Sequence, residues 1–162
     1  MKRFQVVIAF LALLLATGCG TARQTSSDAQ QDTRLVQQKL DSRSFTIDIN
    51  YMIPLRGPAR SVTSYSVTLD GTSLNSHLPY FGEARNVPYG GGNGLSFKDD
   101  IDEYSDSGWQ KDNRTIVLSV KTEEDTFVFS INVFTNGTAT INVHSRNRDD
   151  IIYRGNLRLE EE

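Results

Sequence analysis

Cysteine is almost missing from this chain: Cys19 is the sole example in 162 residues. A single cysteine excludes an intrachain disulfide and a cysteine-built zinc centre. Histidine is nearly as scarce, with His77 and His144 alone. Both fall within or at the end of strand-like patterns and nothing in the spacing pairs them, so a histidine metal site is not expected. Basic residues do not outnumber acidic ones. The formal charge is −3, and no cluster of Lys and Arg stands out, which argues against a nucleic-acid partner. Catalytic signatures are missing too. There is no Gly-x-Ser-x-Gly elbow, no serine–lysine motif and no phosphate-cradling glycine loop ahead of a helix. Carboxylates are present but not visibly paired as a glycosidase needs. We therefore expect neither an enzyme nor a cofactor.

What the chain does have begins at its N-terminus. Lys2 and Arg3 precede an apolar run from Phe4 to Thr17. As a helix that run measures about 21 Å, short of the roughly 30 Å hydrocarbon core, so it reads as a signal-peptide core and not as a permanent span. Leu15-Ala16-Thr17-Gly18-Cys19 follows it and resembles a lipobox, in which small residues precede a cysteine that receives diacylglycerol. Residues 1–18 are expected to be cleaved and Cys19 lipidated. Stable anchoring takes two or more acyl chains, and a mature lipoprotein of this kind carries three, palmitate-like in character. The membrane is thus the first expected partner. Gly20 stands where an aspartate would signal inner-membrane retention, and Gly20–Gln24 holds no acid of the sort associated with export to the cell surface. The expected location is the outer membrane, on its periplasmic face.

Residues 19–32 read as the lipidated cysteine and a flexible tether, because GTARQTSSDAQQD has no apolar periodicity. Residues 33–162 read as one β-domain. One short helix is expected over Thr33–Ser42, with Leu35, Val36 and Leu40 as its apolar stripe. Period two then takes over. Phe45, Ile47, Ile49, Tyr51 and Ile53 alternate with polar residues up to Pro54. Further strands are expected over 65–69, 73–78, 95–101, 115–122, 126–134, 138–144 and 151–157. Asp70-Gly71 and Asn136-Gly137 mark tight hairpins. Connections of about two to six residues admit only antiparallel neighbours. The fold class is all-β: an antiparallel meander of about seven to nine strands, closed as a barrel or folded as a sandwich.

Residues 78–97, LPYFGEARNVPYGGGNGLSF, break the hairpin rhythm with two prolines, five glycines and four aromatics. Tyr51-Met52-Ile53-Pro54-Leu55-Arg56-Gly57-Pro58, Leu78-Pro79-Tyr80-Phe81-Gly82, Tyr89-Gly90-Gly91 and Gly94-Leu95-Ser96-Phe97 recur here as a set, with Phe134, Asn136, Gly137, Arg148 and Tyr153 later. Through them the chain, over about residues 33–157, resembles an uncharacterised domain family found in many lipoproteins of Bacteroides-type bacteria. The resemblance implies location and a single domain; it implies no activity and no catalytic residues.

Two roles fit the 78–97 segment. It is either an ordered plug of the β-domain or a ligand-contacting loop. The second makes Tyr80, Phe81 and Tyr89, together with the lone Trp109, the candidate ligand-binding residues. Trp109 lies among Ser, Asp and Gly and reads as a loop residue, either a contact at a partner surface or a lid on the core. The acidic run Asp99–Glu103 lacks the glycine turn of a calcium loop and reads as a solvated edge or loop. Glu123-Glu124-Asp125 reads as a charged hairpin tip. Arg146 and Arg148 are expected to pair with Asp149 and Asp150, the alternative being that they face an anionic group. The expected function is a membrane-anchored envelope lipoprotein that binds a small or extended ligand near residues 78–97. The rival is an interaction or structural module that docks an envelope protein.

Overall fold

The computed structural model describes residues 22–85 and 94–160. A first compact unit covers Met1–Gln31 and a second, Asp32–Glu162, holds every strand. Helix α1 spans Ala22–Asp41, and eight strands follow: β1 (Ser44–Pro54), β2 (Arg60–Asp70), β3 (Ser73–Leu78), β4 (Leu95–Gln110), β5 (Asn113–Lys121), β6 (Thr126–Phe134), β7 (Thr138–Ser145) and β8 (Ile151–Leu157). Each strand pairs antiparallel with the next, and β8 pairs back onto β1. The meander is therefore a closed barrel, and the sandwich alternative falls away. A sheet with one apolar face and little helix to cover it removes both its exposed face and its edges by closing.

The alternation in sequence becomes inside and outside. Phe127, Phe129, Ile131 and Val133 of β6, Ile116, Leu118 and Val120 of β5, and Tyr153 of β8 are buried, while their neighbours face out. Phe97 stacks on Phe127 with centroids 5.1 Å apart and meets Phe129 edge-on. These side chains fill the barrel interior.

Three elements differ from expectation. The helix starts at Ala22, so the segment read as a coiled tether up to Asp32 is helical from Ala22 onward. Nothing in ARQTSSDAQQD breaks a helix. Docking of Val36 and Leu40, both fully buried, supplies the nucleus, and extending from it costs little. The helix ends where Arg43 takes a left-handed φ of 51° and its amide bonds the Leu40 carbonyl. Strand β2 starts at Arg60, five residues earlier than its apolar pattern, with Ser64 at positive φ where the β1–β2 register shifts. Strand β4 runs to Gln110, nine residues past its expected end. Beyond Asp100 it pairs with β5 but no longer with β3, so acids and serines sit on a half-free edge, and two bulges interrupt the alternation.

Antiparallel order sorts the connections into two ends. One end carries the β2–β3, β4–β5 and β6–β7 turns, the start of β1 and the end of β8. The part of α1 from Asp32 onward packs at this end: Val36 lies against Gly137, and the Arg43 carbonyl accepts from the Gly71 amide at 2.8 Å. Gly137, at φ +81°, makes the Asn136-Gly137 turn, and its amide closes onto the Phe134 carbonyl. The other end, here the rim, carries connections 55–59, 79–94, 122–125 and 146–150.

Candidate functional site

The rim is organised around Tyr80. Its hydroxyl donates to the Glu83 carbonyl at 2.8 Å and accepts from the Asp149 amide at 2.9 Å. Burial raises the Tyr80 pKa, partly countered by its bond to the Asp149 backbone. The fully buried Tyr153 reaches up from the core and donates to the Pro79 carbonyl at 2.6 Å, and burial likewise raises its pKa. Ala84 bridges to Arg148; on either side the Arg85 amide bonds the Asn147 carbonyl and the Asp149 amide bonds the Glu83 carbonyl. Residues 79–85 are thus laced to 147–149 as a short extra ladder.

Beneath this ladder lies a buried ionic network. The Arg148 side chain is 3% exposed and the Asp125 side chain 0%. Arg148 Nη2 donates to Glu124 Oε2 at 3.0 Å, and Nη1 stands 3.5 Å from Asp125 Oδ2, an ion pair without a hydrogen bond. Asp125 also accepts from the Ser145 hydroxyl and from the amides of Thr126 and Asn147. This corrects two expectations. The 123–125 tip is not wholly solvated, because Asp125 turns in to meet Arg148. Arg148 pairs across the rim with Glu124 and Asp125 and not with its neighbours Asp149 and Asp150. Alternation along 146–148 explains the split: Arg148 points in and Arg146 out.

Two open grooves flank the ladder. One, of about 320 Å³, lies between Arg56, Tyr80, Phe81 and Glu83. Phe81 is 43% exposed, with the Arg60 guanidinium 4.2 Å above its ring. Arg56 pairs with Glu83 at 2.6 Å. The other, of about 510 Å³, runs from Leu55 past Arg85, Val128, His144 and Arg146. His144 Nδ1 lies 2.6 Å from Asp150 Oδ1. His77 instead neighbours Ser96 and the Tyr65 ring, so the two histidines have separate partners. Among the described residues no group of three or more His, Cys, Asp or Glu is placed to hold a metal.

Of the ligand-binding candidates, Tyr80 and Phe81 share the rim. Trp109 does not: it lies on β4 at the α1 end, opposite Arg114, and packs against the core. The loop expected at Trp109 is strand, with a bulge between Asp106 and Trp109. Tyr89 and Cys19 lie outside the described residues, as does the expected leader. Among the described residues no helix is long and apolar enough to cross a membrane, which says nothing about strands. Sequence reasoning misses Arg85 and the pairing of Arg148 with Glu124 and Asp125. No local pattern marks them, because their partners lie on other loops.

At the α1 end, Asp106 receives Arg114 through both carboxylate oxygens, and Arg114 also reaches Asp41 of the helix. The Arg114 hydrogen bonds hold the Asp106 carboxyl below its usual 3.8; burial opposes them, and the Gly108 amide adds to them. A carboxyl depressed in the folded state stabilises fully above its unfolded pKa and loses that contribution as pH falls through its folded pKa. We expect Asp106→Asn to lower the melting temperature at pH 7, with the gap to the parent closing as pH drops below about 4. Melting curves between those two pH values check this; a gap constant with pH refutes it.

A crystal structure of a DUF4251 family protein from Bacteroides eggerthii DSM 20697 is similar at a TM-score of 0.58 and 16% identity, over 78% of this chain and 86% of that one, which establishes the shared fold. No curated protein matches the chain. Residues 27–157 match the family described as "Domain of unknown function (DUF4251)". With four-fifths of its length inside that match, the chain belongs to the DUF4251 family.

Proposed function

We propose that the chain is a cell-envelope lipoprotein, held by Cys19 in the outer membrane on its periplasmic face, whose barrel offers the rim around Tyr80 and Phe81 to a small or extended ligand. One observation carries the ligand reading. The barrel interior is filled by Phe127, Phe129 and Tyr153, while grooves stay open at the rim, beside an aromatic left 43% exposed. Binding is therefore a property of the rim and not of a lumen, unlike barrels that enclose a ligand. The ordered 79–85 ladder presents Phe81 without a loop having to freeze on binding, which lowers the cost of association. The lipobox-like Leu15–Cys19 and the apolar run before it support the anchor.

Native mass spectrometry of the protein recovered from a bacterial envelope tests the ligand. We expect non-covalent added mass that disappears in Phe81→Ser, whose exposed side chain is not needed for folding. A bare protein mass, or an adduct that survives both Phe81→Ser and Leu55→Ser, overturns the rim reading. For the anchor, an alkyne-tagged palmitate should label the parent and not Cys19→Ala; equal labelling refutes it. A protein-docking module is the second reading. It is favoured by Leu55, 62% exposed on the same rim as Phe81. A photocrosslinker at position 55 that captures one defined envelope protein, with no adduct in the mass spectrum, decides for it.

A further inference from the structure

Resting on the rim as the ligand face, we infer that the groove between Arg85 and Arg146 binds an oxyanion, a carboxylate or a phosphate, carried on a short apolar arm. Arginines cluster at the rim. Its other arginines are engaged: Arg56 with Glu83, Arg60 over Phe81, Arg148 with Glu124 and Asp125. Arg85 and Arg146 are exposed, line one groove, and have no ion-pair partner among the described residues. The acids of that groove are already occupied. Asp150 holds His144 at 2.6 Å, and Asp149 accepts from the Glu83 amide at 3.3 Å. The formal charges of Arg85 and Arg146 balance those of Asp149 and Asp150, but both carboxylates already hold hydrogen-bond partners, while the two guanidiniums keep unused donors among the described residues.

Geometry makes this more than two loose side chains. The Arg85 amide donates to the Asn147 carbonyl at 2.8 Å, so the backbones that carry the two guanidiniums are tied together before any ligand arrives. The planar guanidinium matches a carboxylate or phosphate with paired donors. The remaining wall is apolar. Leu55 and Val128 face the same space of about 510 Å³, a size that suits a small molecule. The groove therefore takes a head and an arm: an oxyanion at Arg85 and Arg146, and a few carbons along Leu55.

The test is a titration of the mature chain, residues 19–162 with Cys19→Ser, followed through the amide signals of residues 145–150. The probes are inorganic phosphate, butyl phosphate, butyrate and butanol. We expect saturable shifts from butyl phosphate, butyrate or both, and none from butanol; the stronger of the two names the head group. Arg85→Gln and Arg146→Gln should each weaken binding about tenfold. Leu55→Ser should reduce butyl phosphate to the affinity of inorganic phosphate. The amide spectrum itself reports that each variant is folded. Three results overturn the proposal: no shifts with any probe, affinity unchanged in the double Arg85→Gln/Arg146→Gln variant, or butanol matching the anions. In each case an adduct lost in Phe81→Ser still leaves the rim as the ligand face, so the two failures are told apart.

Discussion

Arg148→Ala should destabilise the barrel by about 3–5 kcal/mol, read from the urea midpoint at constant m. The size follows from what is left behind. Asp125 has a fully buried side chain, and its Oδ2 faces Arg148 Nη1 at 3.5 Å. Without the guanidinium that carboxylate keeps the Ser145 hydroxyl and two amides, but no counter-charge. The guanidinium also packs near the rings of Phe127 and Tyr80, at 5.8 and 5.9 Å, so truncation removes packing as well. The double variant Arg148→Ala/Asp125→Ala should cost clearly less than the sum of the single changes, because removing both charges leaves no unpaired ion in the core. Additive costs, or a loss below about 1 kcal/mol for Arg148→Ala, would mean that water reaches the pair and screens it.

Gly155→Ala should cost as much by a different route. Gly155 sits on β8 opposite Ile49 of β1, at the seam that closes the barrel. A Cβ there would fall 2.0 Å from the Asp48 carbonyl oxygen, 2.9 Å from its carbon and 3.1 Å from Ile49 Cα. All three are backbone atoms, so no side chain can swing aside. The β1 bulge between Ile49 and Tyr51 lies at the same place, so the seam has no slack to yield. We expect a loss of about 3 kcal/mol or more, at the upper end of overpacking costs. Amide exchange should rise first along β1 and β8. Gly137→Ala is the control. Its φ of +81° strains any side chain, yet the new Cβ meets only Val36 at 3.6 Å, so its cost should stay near 1 kcal/mol. Equal costs at the two positions would show that conformation, and not close approach, selects glycine at 155.

Both predictions depend on features of different legibility. β6 and β8 could be read to the residue, because buried and exposed positions alternate from end to end and the flanking turns are polar. β4 could be read only over its first half. Past Ile101 the strand has β5 on one side alone, and Asp102, Glu103, Ser105 and Asp106 are tolerable there because that edge meets water. The α1 start was hidden because polar residues without Pro or Gly are equally compatible with coil and with a helix seeded elsewhere. At the rim, Tyr80 and Phe81 stood out by composition. The Arg148–Asp125 pair did not, since 23 positions of sequence separate two charges whose local surroundings look solvated. The bulge and the close approach at Gly155 are likewise products of closure, which local alternation does not encode.

Closure also sets an order of events. Every hairpin from β1 to β8 joins neighbours in sequence, but the seam brings Ile47 to Leu157 and Asp48 to Arg158. Contacts of such separation carry the largest loop entropy and form late. The strand that completes the ring is also the last to be synthesised. Until it is available, β1 keeps an open edge and Phe127 and Phe129 belong to an unfinished core. Closure of the ring thus waits until β8 is present, so no shorter run of these strands can bury the core on all sides.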